Sequence, residues 1–323
     1  MAETQGRDQT SRSTVWPSLP LDEWRDTYAT VHLWTQIIGK IRLARAPQIN
    51  HWWQVPLYVT CRGLTTSPIP YGSRTFQIDV DFIDHRLVMQ TSDGVTESFA
   101  LQPQAVADFY SEVMSRLRSL GLDIRIWTMP SEIPNPIPFE MDRDHRAYDP
   151  EFVHRFWRIL VQVDRIFTAF RARFAGKVSP VHFFWGSFDL VVTRFSGRRA
   201  PAQPNADRMT REGYSHEVSS CGFWPGGSGI ETPAFYCYAA PQPAGFDVAP
   251  VRPAGAFYSR ELGQFILPYD DVRQAADPDA ALLEFLQTTY EAAANLAQWE
   301  RTNLEYTGLG YWEPAKRGSS GPR

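Results

Sequence analysis

Seven histidines are spread through 323 residues, and three of them, His51, His182 and His216, stand beside aromatic or acidic neighbours in stretches that read as strands. An imidazole changes charge near neutral pH, so these positions suit proton transfer or metal ligation. Glu217 directly follows His216, and Asp189 lies downstream of His182, which supplies the residue types of a two-histidine, one-carboxylate metal site. Strand geometry works against that grouping. Adjacent His216 and Glu217 point to opposite faces of a regular strand, and His182 and Asp189 differ by an odd number of positions. The chain also lacks His-x-Asp, His-x-Glu and His-Glu-x-x-His. Catalysis by this set therefore means His182, His216 and Glu217 as acid-base groups or ligands, and the sequence identifies neither a metal nor any other cofactor.

Candidate binding groups surround it. His32, Gln36 and Lys40 recur every four residues along one helix face, which reads as a face contacting a polar ligand or as the solvent side of an amphipathic helix. Asn50-His51-Trp52-Trp53 and His182-Phe183-Phe184-Trp185 open corresponding strands. Lys40, His51, Trp53 and Trp185 are thus candidate ligand-binding residues in a pocket between two halves, where imidazoles meet apolar walls. Histidines buried and satisfied by backbone would leave the same sequence. In the stretch 196–233, Arg198, Arg199 and Arg208 offer guanidinium groups for a carboxylate or phosphate, the competing reading being a solvated charged loop. Trp224 sits in Gly222-Phe223-Trp224-Pro225-Gly226-Gly227-Ser228-Gly229, a plausible lid or anion nest, or simply a wide turn.

Several mechanisms lack their signatures. No Lys-Ser or Lys-Thr follows the glycines, no Gly-x-Gly-x-x-Gly opens a helix, and there is no Gly-x-Ser-x-Gly elbow. Cys61, Cys221 and Cys237 are odd in number and far apart, which suits neither a disulfide framework nor a zinc ribbon, so they are expected to be reduced. With 32 basic and 36 acidic residues the formal charge is -4, and no Lys/Arg cluster of the kind that tracks phosphate backbones is present. Nucleic acid is not an expected partner. No apolar stretch approaches the ~18 residues of a membrane span, and the N-terminus lacks the apolar region of a signal peptide, so a soluble cytoplasmic protein is expected. Its expected partner is a small-molecule ligand or substrate.

The elements that must position these residues come in two similar sets. A helix over about 22–45 carries Trp24, Tyr28, Val31, Thr35 and Ile38 at helical spacing, with Asp22 as its cap. Strands follow at roughly 53–62, 75–82, 86–91 and 95–101, with Ser92-Asp93-Gly94 turning between the last two. Val106, Phe109, Tyr110, Val113, Leu117 and Leu120 form a helix stripe that Gly121 ends, before a short strand at 122–128. The segment 129–149, with four prolines, reads as an ordered connection able to cover a pocket. Asp149-Pro150 then starts a helix with Phe152, Phe156, Leu160, Val163, Phe167, Phe170 and Phe174 on one face. Strands at roughly 181–195, 215–223, 234–239 and 261–267 follow, and Asp277-Pro278 starts the last long helix.

The fold class is therefore α+β: two tandem pseudosymmetric repeats, each helix, four mainly antiparallel strands and helix, with the sheets covered by the long helices. The first repeat spans 15–128 and the second 150–305, with a disordered tail expected at 1–14 and a C-terminal tail at 306–323 whose residues 315–323 fray.

At Gly39-Lys40, Asn50-His51-Trp52-Trp53, Arg62-Gly63-Leu64-Thr65-Thr66, Ser179-Pro180-Val181-His182-Phe183-Phe184-Trp185-Gly186 and Ser215-His216-Glu217-Val218 the chain resembles a bacterial family known as domain of unknown function 5996. The resemblance covers residues 15–305 and implies no reaction, cofactor or catalytic residue. Function is thus read from the residues alone: an enzyme acting on a small polar or aromatic metabolite through His182 and His216, or a noncatalytic ligand-binding protein. A structural homo-oligomer using its 14% aromatic content at an interface is the third possibility.

Overall fold

Two Asp-Pro pairs start the long helices of the second half. In the computed structural model, which describes residues 15–227 and 230–306, the Asp149 carboxylate accepts from the backbone N–H groups of Glu151 and Phe152, and Asp277 accepts from that of Ala280. Each cap stabilises its helix by about 1 kcal/mol. Among the described residues the seven α-helices are α1 (Leu21–Arg45), α2 (Val106–Ser119), α3 (Pro150–Ala172), α4 (Arg208–Gly213), α5 (Tyr269–Gln274), α6 (Pro278–Leu296) and α7 (Arg301–Leu304). The apolar residues of α3 recur at Val153, Phe156, Leu160, Val163, Phe167 and Phe170, a stripe that is buried against the second sheet and the other long helices. Helix α2 ends as the sequence predicts: Gly121 takes φ +71°, with Gly121 N donating to Arg118 O and Leu122 N to Leu117 O, the paired bonds of a Schellman turn.

Among the described residues two antiparallel sheets carry six strands each, where four per half were expected. The first comprises β1 (Tyr58–Val59), β2 (Gly63–Thr65), β3 (Ile69–Tyr71), β4 (Arg74–Asp81), β5 (Arg86–Thr91) and β6 (Thr96–Ala100), ordered β1-β2-β4-β5-β6. Strand β3 pairs with β4 alongside β2, because the chain is interrupted at Thr66–Pro68, where Ser67 has φ +56°. Two- and three-residue strands are too short for a period-2 pattern to reveal. The second sheet comprises β7 (His182–Phe184), β8 (Asp189–Arg199), β9 (His216–Trp224), β10 (Ala234–Ala240), β11 (Phe257–Ser259) and β12 (Gln264–Pro268), ordered β11-β12-β10-β9-β8-β7.

Two further local expectations fail. The segment 122–128 is not a strand. Helix α1 is preceded by Pro20 without a side-chain cap, so Asp22 lies in the first turn, where its charge opposes the helix dipole. The predicted tail at 1–14, all of the predicted tail at 306–323 except Tyr306, and Ser228 and Gly229 lie outside the described residues.

The sheets meet edge to edge through one residue pair. Leu57 N donates to Phe183 O and Phe183 N to Leu57 O, both at 2.9 Å, which joins the chain just before β1 to β7. Across this seam runs α1, and every residue from Thr30 to Arg42 in it is buried. Trp34 stacks on Phe109 of α2 at 4.5 Å between ring centres, Trp24 meets Phe156 of α3 at 5.5 Å, and His32 meets Phe188 at 4.8 Å. A helix enclosed on all sides must satisfy its polar side chains internally, which sets the roles of His32, Gln36 and Lys40.

Candidate functional site

Two consecutive non-glycine residues, His51 (φ 58°) and Trp52 (φ 61°), adopt left-handed backbone conformations in the turn between α1 and β1. Each costs of order 1–3 kcal/mol and persists only where the surroundings enforce it, a pattern concentrated at functional sites. The turn is held by Ile49 N, which donates to Gln54 Oε1 at 3.0 Å, and by His51 Nδ1, 3.1 Å from Gly213 O. A carbonyl only accepts, so this contact puts the proton on Nδ1 and leaves His51 Nε2 an acceptor.

The strained turn aims His51 and Trp53 into a cluster drawn from both halves. Ring centres lie 5.6 Å apart for His51–His216, 4.7 Å for His51–Phe195, 5.9 Å for Trp53–His182 and 5.6 Å for Tyr58–His182. His182 and His216 are thus linked through Trp53 and His51. Lys177 Nζ stands 5.1 Å above both Trp53 and Phe195, and the Arg42 guanidinium lies 5.5 Å from the Tyr58 ring.

The electrostatics are one-sided. His182 is 1 % exposed, and its Nε2 has no partner among the described residues. Burial, then the charges of Arg42 and Arg171, push its pKa down to about 3, so it is neutral at physiological pH. Arg42 is 7 % exposed, makes no ion pair among the described residues and leaves Nε unpartnered. Burial lowers the pKa of Arg42 and of Lys177, because desolvation disfavours the cation. His51 shifts down through burial and the charges of Lys177 and His216, and His216 through burial, Lys177 and Arg199. The cluster therefore presents cations and neutral imidazoles against aromatic walls.

The remaining candidates are placed elsewhere. Glu217 faces away from His216, as strand alternation requires, and Arg198 holds it at 2.7 Å while also donating to Ala297 O at 2.6 Å. Arg199 is exposed opposite His216 in the β8–β9 register, and Arg208 donates to Gln48 Oε1 at 3.0 Å, so the three arginines do not converge. Trp224 packs on Tyr236 at 4.2 Å between ring centres. Asp189 accepts from Ser187 Oγ at 2.5 Å and from the Tyr236 hydroxyl, and burial pushes its pKa up to about 6. Among the described residues no three His, Cys, Asp or Glu side chains are grouped to hold a metal ion. Cys61 is exposed, while Cys221 and Cys237 are buried opposite each other in β9 and β10 with their sulfurs 2.8 Å apart.

The helix face of His32, Gln36 and Lys40 is neither solvent-exposed nor open to a ligand. Gln36 Nε2 donates to Ser131 O at 2.9 Å, Ser131 N donates back to Gln36 Oε1 at 2.7 Å, and Lys40 Nζ donates to Ser131 Oγ at 3.0 Å. His32 Nε2 lies 2.9 Å from Gly186 O, and burial lowers its pKa to about 4. These groups clamp the 129–149 connection and the 185–188 turn onto α1. Trp185 serves the same packing: Nε1 donates to Val55 O at 3.0 Å, and the ring lies so close to Gly39 that an added Cβ would come within 2.2 Å of it.

Arg42, Tyr58, Lys177 and Phe195 join the cluster without having been singled out. One signal was available, since Arg42 lies four residues after Ile38 and so continues the apolar stripe of α1 with a charge. The more open clefts lie away from the cluster. One of about 700 Å3 beside α2 is lined by charged groups such as Arg118, Asp123 and Arg143, and one of about 590 Å3 separates β1 from α3.

Fold and site together define a mixed α+β protein with two antiparallel sheets joined at a seam, where the buried Arg42, the half-buried Lys177 and the imidazoles gather without a counterion among the described residues. The chain belongs to a family of unknown function, DUF5996, which it matches over residues 16–306. No curated protein and no solved structure shows a significant match to it. No helix among the described residues is long and apolar enough to cross a membrane.

Proposed function

We propose that the protein binds a small organic anion with a planar apolar body at the seam, using Arg42 and Lys177 as cationic groups, His182 as a neutral polar wall, and Trp53, Tyr58 and Phe195 as the apolar surface. The observation that carries this reading is Arg42: a guanidinium buried beside an unpartnered imidazole, with no carboxylate bonded to it among the described residues. A buried guanidinium whose Nε lacks a hydrogen-bond partner among the described residues is costly to keep, and contact with an anion would offset that cost. Flat aromatic walls favour a planar ligand. Calorimetric titration with benzoate and with inorganic phosphate tests it. Saturable benzoate binding, weakened roughly tenfold or more in Arg42→Met with the circular dichroism spectrum unchanged, is expected. Failure of both anions to bind, or equal affinity in Arg42→Met, overturns the reading.

A catalytic role is the second reading, favoured by the contact of His51 with His216. Both imidazoles are shifted toward the neutral form, so His216 can accept a proton from a bound metabolite. His216→Ala then abolishes turnover while benzoate affinity is retained. Glu217, bonded to Arg198, contributes by fixing the start of β9.

We also infer that the two halves are tandem pseudosymmetric repeats. Supporting this, β1-β2-β4-β5-β6 and β7-β8-β9-β10-β12 follow the same order outward from the seam, each preceded by a long helix (α1, α3) and followed by another (α2, α6). Each half also carries a Gly-Lys step near its first long helix, although Gly39-Lys40 lies inside α1 and Gly176-Lys177 beyond the end of α3. Three unbridged cysteines support the cytoplasmic, reducing location that forms part of this proposal.

A further inference from the structure

Tyr58 and Val59 are neighbours in β1, so their side chains leave the strand on opposite faces. Tyr58 meets His182 in the anion cluster, and Val59 lines the cleft of about 590 Å3 against α3. That volume falls within the range of small-molecule pockets. Val59, Val161, Ala169 and Ala172 give the cleft apolar walls, and Cys61 stands exposed at its edge. Most polar groups here already have partners. Thr60 O accepts from Trp157 Nε1 at 3.1 Å, and the Arg165 guanidinium is held by Asp279 at 2.7 Å and by Gln162 at 3.0 Å.

Asp164 differs from these. Its carboxyl lines the cleft with no hydrogen bond or ion pair among the described residues, and burial pushes its pKa up to about 6. A half-buried carboxyl in a largely apolar cleft, with no ion-pair partner among the described residues because Arg165 is held by Asp279, is complementary to an ammonium group carried on an apolar body. We propose that this cleft binds a small hydrophobic amine, its ammonium on Asp164 and its hydrocarbon portion against Val59, Val161 and Ala169. The site is separate from the anion cluster, on the other face of the same seam strand, and does not depend on it.

Calorimetry of the full chain with phenethylamine, and with 2-phenylethanol as its neutral analogue, tests the proposal. Phenethylamine is expected to bind saturably and to slow iodoacetamide labelling of Cys61, while 2-phenylethanol binds roughly tenfold or more weakly. Asp164→Asn lowers the amine affinity by a similar factor, and Ala172→Trp, at an exposed position lining the cleft, blocks binding by filling it. Arg42→Met leaves amine binding unchanged, which separates this site from the anion site. Absence of phenethylamine binding, equal affinity in Asp164→Asn, or undiminished Cys61 labelling at saturation each overturns it.

Discussion

Lys177 Nζ lies 5.1 Å above the ring of Trp53, and Lys40 Nζ lies 5.7 Å above that of Trp185, so each half supplies the ammonium that covers a tryptophan of the other. The two contacts are not equal in setting. Lys40 is buried and bonded to Ser131, whereas Lys177 is half-buried and its ammonium, among the described residues, makes no hydrogen bond or ion pair and lies over aromatic faces. A lysine held by rings alone keeps its charge available to a ligand.

Lys177→Met is therefore expected to separate binding from stability. The lost cation–π contacts cost about 0.5–1 kcal/mol in thermal or urea unfolding, while benzoate affinity falls by roughly fivefold or more. Unchanged benzoate affinity would remove Lys177 from the site.

Stability near and below neutral pH should report the buried imidazoles. His182 and His32 have folded pKa values of about 3 and about 4, below the ordinary 6.5. Unfolded chains then bind more protons below pH 6.5, so the stability these neutral histidines contribute is present above that pH and is lost as pH falls toward their folded values. Each adds up to about 1.4 kcal/mol per pH unit inside its window. Asp189, raised to about 6, works in the opposite sense between its unfolded value and that pH. Comparison with His182→Phe isolates one term: between pH 6 and 4 the variant's urea midpoint should fall less steeply than the wild type's. Parallel profiles would mean that His182 is not buried neutral.

Gly39→Ala runs against helix propensity. In an open helix alanine stabilises by about 1 kcal/mol relative to glycine, but here the new Cβ would meet the Trp185 ring at 2.2 Å. Net destabilisation of about 1–3 kcal/mol is expected from the overpacking. A rise in melting temperature would show that α1 and Trp185 are not in close contact.

Thiol titration gives a simple check of burial. Native protein should react with Ellman's reagent at Cys61, and unfolding in guanidinium should bring Cys221 and Cys237 into reaction. Three fast thiols in the native state would contradict the packing of β9 on β10.

The parts of the fold that sequence made legible are those decided locally. Asp149-Pro150 and Asp277-Pro278 start helices through their own side chains, Gly121 ends α2 through its own backbone, and the Ser92–Gly94 hairpin needs no distant partner. What escaped depends on distant contacts. His32, Gln36 and Lys40 have the spacing of a solvent face, and only Ser131 and Gly186, brought in from far along the chain, make them interior groups. Trp185 has the same sequence context as Trp53, yet one packs on Gly39 while the other meets His182. Residue types near strand starts drew attention to His182 with His216 and, separately, to His51 with Trp53; the contacts that join the two sets cross the seam, and Arg42 and Lys177 carry charges that, in sequence, resemble those of any surface residue.

The enclosure of α1 has a consequence for synthesis on the ribosome. Residues that cover this helix, from Trp185 and Gly186 to Phe188, are polymerised about 150 residues after Gly39. At roughly 5–20 residues per second, the nascent chain carries an uncovered helix bearing Trp34, Ile37, Ile38 and Ile41 for on the order of ten seconds or more. The first sheet and α2 can shield one side of it in that interval, but the other side stays bare until β7 emerges. Translation speed ahead of residue 190 and the supply of chaperones that bind apolar helices are thus set to govern the yield of folded protein.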